Sequence, residues 1–205
     1  MHLPLRHMPA QALRALALGV IALAWAAISV QPAPAPAATP ALETDVCVVA
    51  PPTPYDPALG QPLSAARTVP LDARCPVCGM YPARSPEWAA QVIFSNGDAQ
   101  FFDSPQSLFT YLQNVSRYTA GHSADQIVAS YVSDAGSGRW VAALSAIYVQ
   151  GSSARGPMRA GNLPAFAEAA AAQRFASTRG GVLLRASEIT PDVLLRLSDA
   201  ASHGH

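Results

Sequence analysis

Three sulfur side chains fall within the short run Arg74-Cys75-Pro76-Val77-Cys78-Gly79-Met80. A Cys-x-x-Cys spacing lets two thiolates turn toward one point and lowers the pKa of one of them. Gly79 has no Cβ and permits the tight turn that brings Met80 toward the same point. Thiolate with thioether is a soft donor set, the kind that selects Cu(I). A structural zinc wants four Cys or His ligands. Beyond the run, the mature part of the chain offers Cys47, His122, His203 and His205, with no second pair at metal-binding spacing. Covalent haem is disfavoured, because Gly79 stands where a Cys-x-x-Cys-His motif needs histidine. A redox pair competes with the metal reading, and so does a plain Cys75–Cys78 disulfide. The spacing alone leaves all three open. Met158, in Arg155-Gly156-Pro157-Met158, is a second thioether. A Met directly after Gly-Pro is presented by a loop, where it is either a Cu(I) ligand type or a gap-filling core residue.

Composition narrows the function further. Formal net charge is zero, and all 13 basic side chains are Arg. No basic field of the kind nucleic acid requires is present. Half of the residues are hydrophobic and 13% are charged, which excludes disorder throughout. No Ser/His/Asp set, carboxylate pair with a base or phosphate-binding glycine loop occurs. His122 is the lone histidine of the expected folded part. The chain therefore does not read as an enzyme.

The elements that must position the sulfurs follow from periodicity and punctuation. Arg6 and Arg14 precede an apolar run from Ala15 to Val30. That run spans about 24 Å as a helix, short of a ~30 Å hydrocarbon core. With the small-residue stretch Ala33–Ala38 it reads as a Sec-type signal over 1–37, or alternatively an N-terminal anchor. Either places the remainder outside the cytoplasmic membrane. No small-residue lipobox precedes Cys47. Twelve of the 19 prolines lie between Pro32 and Pro82. Residues 38–71 are therefore expected to be an extended leader without long helices or central strands. The folded domain is expected over 72–200.

Ala89–Phe94 and Ala99–Phe102 flank Asn96-Gly97, the pair favoured in a type I′ hairpin turn. Asp103 or Ser104 can then cap a helix opened by Pro105. Asp103 is read as that cap rather than as a catalytic acid, and Asp134 as a surface residue. Gln126–Val132 and Arg139–Val149 predict a second hairpin. Leu163–Phe166 predicts a strand, Glu168–Thr178 an Ala-rich helix stopped by Gly180-Gly181, and Val182–Arg185 a strand. Thr190-Pro191 opens a last helix. The expected class is α+β with antiparallel hairpins. Phe102-Asp103-Ser104 and Phe166-Ala167-Glu168, each before a helix, suggest a duplication into two small βα units, about 72–124 and 125–200.

Cys75-Pro76-Val77-Cys78-Gly79-Met80, Pro86-Glu87-Trp88-Ala89-Ala90-Gln91-Val92, Phe101-Phe102-Asp103 and Gly156-Pro157-Met158 occur in an order that resembles the NosL proteins. The resemblance spans about Ala73 to Val193. NosL proteins are periplasmic copper chaperones that help assemble the copper–sulfide centre of nitrous-oxide reductase. The resemblance implies two packed βα subdomains, with the Gly-Pro-Met loop facing the cysteine motif. It implies Cys78, Met80 and Met158 as Cu(I) ligands, with Cys75 alternative or additional. It also implies nitrous-oxide reductase or its assembly machinery as partner. The chain is expected to be a monomer, with any membrane tether through its N-terminus. The competing function is a thiol–disulfide reductase that uses Cys75 and Cys78 to keep a partner's copper-site cysteines reduced. The chain departs from the family pattern at Arg159, where Gly usually follows Gly-Pro-Met, and in its Pro-rich leader and His203/His205 tail.

Overall fold

The computed structural model describes residues 50–159 and 163–202. The expected signal over 1–37, Cys47, His203 and His205 lie outside the described residues. Among the described residues no helix is long and apolar enough to cross a membrane.

The fold is α+β, built on two antiparallel sheets. Strands β1 (Ala90–Phe94) and β2 (Ala99–Phe102) form the first hairpin, with Ala90 opposite Phe102 and Ile93 opposite Ala99. All nine of their residues are buried, the amide side chains of Gln91 and Gln100 included. Helix α1 (Pro105–Gln113) and the short α2 (Val115–Tyr118) follow. Strand β3 (Ile127–Ser133) returns to the other side of β1, and β4 (Trp140–Ala142) pairs with β3. The first sheet therefore has the order β2-β1-β3-β4. The second sheet contains β5 (Ile147–Gln150), β6 (Ala165–Phe166) and β7 (Val182–Arg185) in the order β6-β5-β7. Helix α3 (Ala169–Arg179) lies between β6 and β7, and α4 (Pro191–Ser202) ends the described chain.

Three expectations change. Arg139–Val149 is not one strand of a hairpin. It breaks after β4 in a turn where Ser145 and Ala146 donate to the Ala142 carbonyl at 3.0 and 3.1 Å. The turn buries Ala143 and Ala146 and carries the chain from one sheet to the other. The β1–β2 loop is not type I′ either. Gly97 has φ +88°, whereas Asn96 is not left-handed. Gly97 N–H donates to Phe94 O at 2.8 Å and Phe94 N–H to Asp98 O at 2.9 Å. This is a type I turn ended by a left-handed glycine. The Asn96 carboxamide accepts from Asp98 N–H and donates to the Asp98 carboxylate, which holds Asn96 in its ordinary conformation. Asp134, expected at the surface, is buried and accepts from Ser137 Oγ at 2.5 Å.

The duplication is visible in the topology. Strand, strand, helix, strand occurs twice, and both times the first strand lies between the other two. Phe102 faces Ala90, and Phe166 faces Ile147, at equivalent places. Because β3 is the second neighbour of β1, the first unit runs past residue 125 and the units meet at the β4–β5 turn. One core serves both. Phe102, Leu108 and Tyr111 of the first unit share it with Tyr148, Leu163 and Leu194. Phe109 of α1 meets Tyr148 of β5 edge-on, with centroids 5.2 Å apart.

Residues 50–71 lie against the first sheet, with a three-residue 3-10 turn at Pro57–Leu59. Thr53 forms an isolated bridge to Ala99 on the β2 edge. The backbone of Arg67 exchanges two hydrogen bonds with the fully buried Gln91 carboxamide, at 2.8 and 2.9 Å. Its guanidinium donates to the carbonyls of Pro62, Leu63 and Ala65.

Tyr55 packs onto Gly97 so closely that a Cβ there would sit 2.7 Å from Tyr55 Cγ. Gly97→Ala combines this overlap with a left-handed φ, which itself costs about 1–2 kcal/mol. Urea unfolding should show a loss above that conformational cost, and adding Tyr55→Ala should make the two losses less than additive. Strict additivity would mean that the leader does not seat on the hairpin tip.

Candidate metal centre

The cysteine turn closes on itself before β1. Cys75 N–H donates to Met80 O and Gly79 N–H donates to Cys75 O, both at 2.8 Å. The closure needs a left-handed residue at position 79, and Gly79 supplies it with φ +75°. Backbone amides of this turn and of Asp103 also act on the sulfurs. Those of Asp103 and Cys78 reach Cys75, and that of Met80 reaches Cys78. Amide donors around a sulfur favour its thiolate.

Asp103 completes the cluster from the end of β2. The helix cap expected of it is made by Ser104, whose hydroxyl accepts from Ser107 N–H at 3.3 Å. Asp103 is 1% exposed, and its Oδ1 accepts from Cys78 Sγ at 3.1 Å. Its Oδ2 is buried with no hydrogen-bond partner. The donor atoms of Cys75, Cys78 and Asp103 all lie within 4.8 Å of one another. Bonds of about 2.3 Å to sulfur hold two ligands of one ion at most about 4.6 Å apart, so the three donors already stand near the span a single ion bridges.

The two thiols are tightly coupled. Cys75 is fully buried, and burial opposes its ionisation. The hydrogen bond from Cys78, with those of the two amides, outweighs burial and holds the Cys75 thiol below its usual range. Cys78 is pushed far up, first by that bond to Cys75, then by burial and by the negative charges of Cys75 and Asp103. Cys78 has one thiol proton with two acceptors beside it. The pair therefore loses its first proton more easily than its second.

The structure brings Cys75 and Cys78 together and adds Asp103, which sequence reasoning missed. The available signal was that Ser104-Pro105 already suffices to open α1, so Asp103 is not needed as a cap. Met80 belongs to the cysteine turn through its backbone, and its side chain is 42% exposed. Met158 is half-exposed in a turn between β5 and β6, which does not fit a core gap-filler. Both cysteines are free thiols. They precede a 3-10 turn at Pro82–Arg84 rather than the long helix that follows a thioredoxin-type pair. The full burial of Cys75 also works against thiol exchange.

The sequence profile of the NosL family matches residues 66–194. The crystal structure of the copper chaperone NosL from Shewanella denitrificans is similar, with a TM-score of 0.54 at 24% identity, over 64% of this chain and 99% of that one. This likeness shows the shared fold. The solution structure of the apo-NosL protein from Achromobacter cycloclastes matches at 28% identity and a TM-score of 0.39, over 51% of this chain and 87% of that one. No curated protein matches the chain.

The coupling predicts the reactivity of the metal-free thiols. At pH 8 Cys78 should be alkylated by iodoacetamide more slowly than a free cysteine, because its proton is retained. Asp103→Asn removes one of the negative charges that raise the Cys78 pKa, so more thiolate forms and alkylation accelerates. Site-resolved mass spectrometry reads the rates. An unchanged or slower rate at Cys78 in Asp103→Asn would contradict the electrostatic link.

Proposed function

The chain belongs to the NosL family, and from that premise and the geometry of its thiol pocket we propose that it is a Cu(I) chaperone. It would act in the periplasm and deliver copper for maturation of the copper–sulfide centre of nitrous-oxide reductase. The observation that carries the metal reading is the orphaned carboxylate oxygen of Asp103, buried beside two cysteine sulfurs. A buried acid cluster without a cation is costly, and a bound cation answers all three groups at once. Soft donors favour copper in its lower oxidation state. Cys75 and Cys78 are the proposed anchors, with Asp103 beside them. Met80 and Met158 supply thioethers that remain accessible, as an ion that must be passed on requires. A low coordination number leaves room for the ligand of an acceptor to enter before the ion leaves.

Anaerobic titration of the purified protein with Cu(I), against a competing chelator, should give one ion per chain. Affinity should fall as pH drops, because protons compete for the thiolates. Cys78→Ser should weaken binding at least about 100-fold and Asp103→Asn about 10-fold, the range seen for groups that support ligands. Zn(II) that binds the pair and is not displaced by Cu(I) would overturn the copper reading.

Met158→Leu separates the thioether's role from packing. The change conserves volume, so its cost to apo stability should stay below about 1.5 kcal/mol. It should reduce the rise in melting temperature that Cu(I) produces, because an ion bound only to the folded state stabilises in proportion to its affinity. A loaded Met158→Leu protein that melts like loaded wild type would remove Met158 from the ligand set.

A further inference from the structure

Among the described residues, two arginines beside the cysteine turn have no anionic partner. The guanidinium carbons of Arg74 and Arg84 lie over the single ring of Tyr81, at 4.4 and 4.5 Å from its centroid. Arg74 also donates to the Tyr81 hydroxyl. Both arginines are exposed, and among the described residues neither forms an ion pair, although Asp72 and Glu87 are close in sequence. Arg67 is different, since it is buried and its donors go to three backbone carbonyls. Arg74 directly precedes Cys75, and Tyr81 directly follows the exposed Met80. The cations thus border the loop from which an ion would leave.

We propose that Arg74 and Arg84, held by Tyr81, form an anion-recognising fork that docks an acidic segment of the protein exchanging copper with this chain. The proposal rests on the copper reading above and specifies how the exchange partner is recognised. The ring fixes both side chains before any partner arrives, which lowers the ordering cost of binding. A guanidinium matches a carboxylate through two parallel hydrogen bonds. Since the chain carries no net charge, attraction is local and acts within a Debye length of about 8–10 Å. Charges on the rim of a contact act on encounter rate and salt dependence rather than on the affinity of the ion itself. A protein segment is favoured over a membrane surface, because lipid-binding basic clusters use about four to eight cations, and this fork has two.

The test uses two Cu(I) chelators with the same phenanthroline donors, anionic bathocuproine disulfonate and uncharged neocuproine, as probes of the encounter. Second-order rates of copper removal from the loaded full-length protein give a ratio, anionic over neutral. Arg74→Gln/Arg84→Gln should lower this ratio at least about threefold and flatten its salt dependence, with Cu(I) affinity within about twofold of wild type. Arg174→Gln/Arg179→Gln, at two exposed arginines on α3, controls for net charge and should leave the ratio in place. Arg74→Lys/Arg84→Lys, which keeps both charges, should retain most of it. A ratio unmoved by Arg74→Gln/Arg84→Gln, or moved equally by Arg174→Gln/Arg179→Gln, would overturn the fork. So would loss of binding to phosphatidylglycerol vesicles in the double variant with an unchanged chelator ratio, which assigns the cations to a lipid surface. Failure of wild type to bind Cu(I) at all would instead sink the copper reading.

Discussion

Two thiols and a buried carboxylate meet at one point, and one oxygen of that carboxylate has no hydrogen-bond partner. Much of the local structure follows from making that tolerable. Taking one uncompensated charge out of water costs on the order of several kcal/mol. The chain answers with backbone amides aimed at the sulfurs and a thiol proton retained between Cys75 and Asp103. What amides and one proton leave unsatisfied is Asp103 Oδ2. Such a pocket is poised for a cation, which removes the remaining proton and pairs with the charge left behind.

The duplication explains how a chain this short holds the pocket firmly. Each unit is a hairpin, a helix and a third strand that returns to the hairpin's first strand. The end of the hairpin's second strand is therefore a fixed point in both. In the first unit it carries Asp103 and in the second Ala167, so a similar frame presents a carboxylate in one copy and an apolar residue in the other. Cys75 is packed into the core common to both units, which makes its burial a property of the whole domain rather than of the loop alone. Met158, half-exposed on a loop of the second unit, is the thioether that the proposed function would draw from that unit.

Much of this was legible in the sequence, and the failures have physical causes. The sulfur turn announced itself by residue type, and Gly79 by the turn it must make. The β1–β2 hairpin was legible from two apolar runs around Asn96-Gly97, but the turn type was not, since side-chain bonds to Asp98 override the usual preference of Asn for a left-handed conformation. The break after Ala142 was invisible because Ala143-Leu144-Ser145-Ala146 contains no Gly, Pro, Asn or Asp and fits a strand as readily as a turn. Asp103 was hidden by its neighbours, for an Asp before Ser-Pro looks like a cap until Ser104 is seen to make it. Pairing of a turn near residue 75 with the end of β2 is a long-range contact, which local propensity does not encode.

Copper-edge X-ray absorption of the Cu(I)-loaded protein tests directly the proposed seat of copper on the cysteine sulfurs beside Asp103. The expected spectrum has at least two sulfur neighbours around the ion, fewer in Cys78→Ser. A shell of nitrogen and oxygen alone, indifferent to Cys78→Ser, would place the ion elsewhere and contradict it.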